Sequence, residues 1–109
     1  MEIINCTPHP IRVVLADHEV VFEPSGTVPR IAAGIEDAGD INGIPLVRET
    51  AGPIENLPDP QEGMVLIVSA LVRKDPRLVH RTDLVSPDTF KGAIRDDSGN
   101  ITGTTRFIR

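Results

Sequence analysis

Apolar residues along this chain gather in short runs that proline, glycine and acidic residues keep apart, and the most water-averse run is GMVLIVSALV at 63–72. A run of this length, rich in Val and Ile and opened by a turn glycine, predicts a central strand buried on both faces. Ser69 marks its exit, because a serine hydroxyl can cap a short helix over 70–74, which Pro76 stops. Upstream, 1–5 reads as a short strand and CTPHP as a turn that two prolines hold extended. IRVVLA (11–16) and EVVFE (19–23) pair as a hairpin about Asp17 and His18. TVPRIA (27–32) makes an edge strand, since Pro29 cannot donate to a ladder.

Asn42-Gly43 tolerates the positive φ angles of a type I′ turn and predicts a tight hairpin, with Pro45 placing the return strand at an edge. Residues 50–63 read as a proline-rich loop, either a rigid connection or a mobile cover, of which the prolines favour the first. After the helix, 77–85 returns as a strand, and 93–96 and 101–109 form a last hairpin about 97–100. The sum is a mainly β fold (β-rich α+β), one compact domain over 1–109. It has roughly eight or nine short antiparallel strands and one short helix, well above the ~20–25% strand of an average domain.

Composition narrows the function more than the pattern does. With 109 residues and 39% hydrophobic content the chain supports one core, and that core is aliphatic, because Phe22, Phe90 and Phe107 are the only aromatics. Stacking platforms for single strands are therefore missing, and a net charge of −5 opposes phosphate backbones, so nucleic acid is a poor partner. Cys6 is alone, which gives neither an internal disulfide nor a zinc cluster. No apolar run nears the roughly 18 residues of a membrane span and no leader pattern opens the chain, which points to a soluble cytoplasmic protein. No cofactor or catalytic signature is present, so the chain reads as a non-enzyme.

The charge is unevenly placed: residues 1–60 carry −7 and residues 61–109 carry +2. Such a division suggests either head-to-tail self-association as a homo-oligomer or an anion-binding face within an acidic protein. The anion reading centres on the end of the central strand, where Ser69, Arg73, Arg77 and Arg81 would meet a small phosphorylated or nucleotide-like ligand. Asp83 alternates with Arg81 as a polar partner, and Thr7 and His9 would shape the pocket from the proline-rich turn. The alternative is that these arginines solvate an exposed turn or pair with the acidic half across a subunit interface.

INCTPHPI, PSGTVPRI, DINGIPLV, LPDPQEGMVLIVSALV, RTDLVSPDT and IRDDSGNITGTTRF together resemble a family of small uncharacterised proteins of bacteriophages and of bacteria, including actinobacteria. The resemblance covers nearly the whole chain. It departs at Cys6, where the family usually has Leu, and at Pro29, where it has Ala. Kinship of this sort implies a phage context, with a host-cell cytoplasmic location. The role it implies is either a sponge for a nucleotide immune signal or a protein-interaction or structural module, such as an inhibitor of a host protein or a minor virion component. The second would work through an edge strand around Pro29 or Pro45, or through the acidic half.

Overall fold

The computed structural model describes residues 1–109. About half of them lie in strands, and the fold is β-rich with one short helix. The run at 63–72 supplies the centre as expected. Its strand β6 (Met64–Ile67) lies between β1 (Glu2–Asn5) and β7 (Leu84–Pro87) in a four-stranded sheet whose far edge is β10 (Phe107–Ile108). Both neighbours of β6 run parallel to it, whereas short antiparallel strands were the sequence expectation. Parallel strands buried on both faces read as continuous apolar runs, and Leu66, Ile67 and Val68 are each at most 2% exposed.

A second sheet has the order β3 (Glu19–Phe22), β2 (Ile11–Val14), β9 (Ile101–Thr104), β8 (Ala93–Arg95). The β2–β3 and β8–β9 hairpins are those the turn residues predicted. Asn5 links the two sheets: its carbonyl accepts from the Ser25 N–H at 2.9 Å, and its side-chain amide donates to the Phe22 carbonyl at 2.8 Å. Cys6, Leu66, Val68, Val72, Leu78 and Leu84 form the core, with Ile4, Ile31, Ile54, Leu57 and Met64 packed around it. Helix α1 is Ala70–Arg73, capped by Ser69, whose hydroxyl accepts from the Val72 N–H at 3.2 Å.

Two further expectations fail. Residues 77–85 do not return as one strand: Asp75 caps a single 3-10 turn, Pro76–Leu78, and the chain reaches β7 only at Leu84. The carboxylate of Asp75 takes the Arg77 N–H, and Pro76 has no N–H to give a ladder, so local capping wins over strand propensity here.

The larger correction concerns 27–55. Instead of an edge strand, a short hairpin and a loop, there is one continuous hairpin, β4 (Arg30–Ile41) and β5 (Ile44–Glu55). It forms a two-stranded sheet joined to neither of the others. Asn42 (φ 51°) and Gly43 (φ 80°) make its tip, which is the turn their dipeptide predicted. Near its root, Gly52 lies so close to β4 that a Cβ there would come within 2.5 Å of the Ala32 carbonyl oxygen. The arm gives the molecule principal extents of 60 × 39 × 23 Å and a radius of gyration of 17.3 Å. A compact chain of this length would have about 13 Å.

Candidate functional site

The arginines expected to hold an anion are used inside the chain. Arg77 clasps Asp75 with two bonds, Nε to Oδ1 at 3.0 Å and Nη2 to Oδ2 at 2.8 Å, and its Nη1 donates to the Gly52 carbonyl at 2.8 Å. Arg81 grips Asp83 in the same forked way, at 2.8 and 2.7 Å, and reaches the Pro58 carbonyl at 3.0 Å. Gly52 lies on β5 and Pro58 on the segment that follows it. Two guanidinium groups thus tie the root and exit of the arm to the body, a task suited to a planar fork of donors. The expected Arg81–Asp83 pairing is present, and the pair is nearly dry, with side chains 9% and 14% exposed.

Arg73 is half-buried, and its Nε donates to the Ser86 hydroxyl at 2.6 Å. Ser69 is occupied in capping α1. Thr7 and His9 lie elsewhere, around Asn5: the Asn5 side chain donates to the His9 carbonyl at 2.8 Å and accepts from the Thr7 N–H and hydroxyl at 2.9 and 2.7 Å. His9 contributes its carbonyl to this turn. Of the seven expected residues, Arg81 and Asp83 come together with His80 along a shallow hollow of about 470 Å³ near Met64. Arg73 and Arg81 share a separate groove of about 420 Å³ with Lys74 and Arg109. Thr7, His9, Ser69 and Arg77 line neither.

The groove gathers positive charge that no ion pair takes up. Arg73 and Lys74 form no ion pair, and no carboxylate side chain lines the groove, whose floor is Leu78, Val79 and Leu84. The run of cations in the sequence includes Arg73 and Lys74 but does not reveal Arg109, because nothing local in sequence shows that residue 109 comes alongside α1. Asp75 reads in sequence as the local counter-charge and Asp88 as a further carboxylate, whereas their capping roles are signalled only by Asp-Pro and Pro-Asp-Thr.

Three carboxylates titrate below their ordinary range. Asp75 is held at about 2, chiefly by the Arg77 side chain. Asp83 is lowered chiefly by Arg81, and Asp88 by the Phe90 N–H and then by Arg106. Burial pushes the Cys6 thiol up, which makes it a poor nucleophile. Because the native carboxylates release their protons at lower pH than unfolded ones near 3.8, the unfolded chain binds more protons between about pH 4 and 2. The stability they contribute is complete above that window and disappears as pH falls through it. Urea midpoints should therefore hold from pH 7 to 5 and drop steeply towards pH 2; a midpoint as high at pH 2.5 as at pH 6 would contradict the assignment.

The other candidate is the arm. Ile35 is 70% exposed, Ile41 57%, Ile44 65% and Val47 64%, although strand residues of this kind are normally covered. The pairing Ile35↔Glu49, Asp37↔Val47 and Asp40↔Pro45 puts Ile35, Val47, Asp37, Asp40 and Glu49 on one face. The opposite face carries Ile41, Ile44 and an exposed Glu36–Arg48 ion pair of 3.0 Å. No group of acidic, histidine and cysteine side chains that could hold a metal ion occurs. No helix is long and apolar enough to cross a membrane. No family model, curated protein or solved structure matches the chain.

Proposed function

We propose that this chain is a non-enzymatic protein-interaction module that works by self-association, with the β4–β5 arm as its contact element. The observation that carries this reading is a 12-residue by 12-residue hairpin with both long edges open and four large aliphatic side chains in water. An isolated two-stranded ribbon is marginal in water, so such an arm gains most of its order from a surface that covers it. Open edges and exposed aliphatics are also what unpartnered proteins avoid, since they recruit further chains. A minor virion component works by contacts of this type, and so does an inhibitor of a host protein.

The small-ligand reading, a phosphorylated or nucleotide-like molecule held in solution, retains one supporting observation, the groove of Arg73, Lys74 and Arg109. It has lost the others, because Arg77 and Arg81 are already matched by Asp75 and Asp83. Assembly is therefore the better-supported function.

Sedimentation over a hundredfold range of concentration tests it. The full chain should run as an oligomer, while Ile35→Asp and Val47→Asp, placed at exposed positions on one arm face, should release folded monomer with an unchanged circular dichroism spectrum. A chain that is monomeric at every concentration would overturn the proposal.

A further inference from the structure

The distal arm and the basic groove are complementary to each other, yet they belong to different parts of the molecule. One arm face has Ile35 beside Glu49, Val47 opposite Asp37 and, further towards the tip, Asp40, with no cation among them. The groove has the inverse character: Arg73 and Lys74 line it together with Val79, which is 75% exposed, above the buried Leu78 and Leu84. The arm face offers two exposed aliphatic side chains beside carboxylates, and the groove offers one exposed valine beside cations, so the charges are opposite in sign.

We propose that the groove beside α1 receives the Ile35–Asp37–Asp40–Val47 face of the arm of a second copy of this chain. The inference rests on the self-association reading and says where the arm docks. Matching a row of carboxylates to a row of cations selects the partner and its register, while the aliphatic strip supplies the burial. The pairing is heterologous, arm to groove, so it joins successive copies unless a rotation closes the set. Its electrostatic part weakens as salt shortens the Debye length below about 10 Å.

A double-mutant cycle on the full chain decides it. Lys74 is exposed and its side chain forms no ion pair or hydrogen bond, so Lys74→Glu perturbs little else. Asp37 and Asp40 accept from the Gly39 and Gly43 N–H groups at 3.0 Å each, and Asn at both positions keeps those acceptors while removing the charge. Alone, Lys74→Glu should weaken association at least about tenfold at low salt; in the Asp37→Asn, Asp40→Asn background it should weaken it less than about threefold. Equal losses in both backgrounds, in a chain that still associates through its arm, would overturn the groove and leave the self-association reading standing. A monomeric wild type would remove both. Micromolar binding of ATP that Lys74→Glu abolishes, with association unaffected by either set of changes, would overturn the proposal in favour of a phosphorylated small ligand.

Discussion

Replacing Arg81 by alanine should lower the stability of the native state by about 3 kcal/mol, among the largest effects of any single substitution in the chain. Arg81 and Asp83 are nearly excluded from water and meet through two short bonds, so removal of the guanidinium strands a carboxylate with little solvent to compensate it. The Pro58 carbonyl loses its donor as well, and the segment leaving the arm is no longer tied down. In a small domain with ~5–15 kcal/mol in total, a loss of this size lowers the melting temperature by roughly 10–20 °C. Arg81→Lys should recover only part of it, because a point charge cannot supply the fork. Replacing both partners with apolar residues should be milder than either single change, since nothing charged is then left buried. Arg73→Ala is the informative comparison. That side chain donates to a neutral hydroxyl, and its loss should cost only about 1 kcal/mol. Equal, small effects at the two positions would refute the strut role of Arg81.

The contrast between those arginines shows how far the sequence could be read. Arg73, Lys74, Arg77, His80 and Arg81 form a run of five potential cations, but a one-dimensional reading does not show which carboxylate folds back on which guanidinium. Asp75 stands two residues before Arg77, and Asp83 two residues after Arg81; each pair closes locally, and together they neutralise two of the five. The central strand, the Ser69 cap and the Asn42-Gly43 turn were legible, because each rests on neighbours in sequence. Parallel pairing of β6 with β1 and β7 was not, since it brings together segments some sixty and twenty residues apart. The arm was hidden by its own composition. Pro29, Pro45 and Pro53 and four glycines argued for breaks, yet Pro45 and Pro53 sit in a ribbon whose strands each have an open edge, where a missing N–H costs no ladder bond.

Excising the distal arm should separate folding from assembly completely. Joining Gly34 to Thr50 through Asn-Gly, in place of 35–49, keeps the root pairs Arg30↔Glu55, Ile31↔Ile54 and Gly34↔Thr50. It also keeps Ile31, Ile54 and Leu57 on the core and Gly52 under Arg77. Nothing in the deleted stretch belongs to the buried core, so the body should melt cooperatively within a few degrees of the full chain. Its radius of gyration in small-angle scattering should fall from the 17.3 Å of the full-length protomer to near 13 Å, the value for a compact body of this size. Association should vanish, because the removed segment contains all four exposed aliphatics of the arm. If the shortened chain failed to fold, the arm would be a part of the domain rather than an element that reaches out from it. If it folded and still assembled, the contact surface would have to be sought on the body, where Leu71, Val79 and Phe90 are the exposed apolar side chains nearest the basic half.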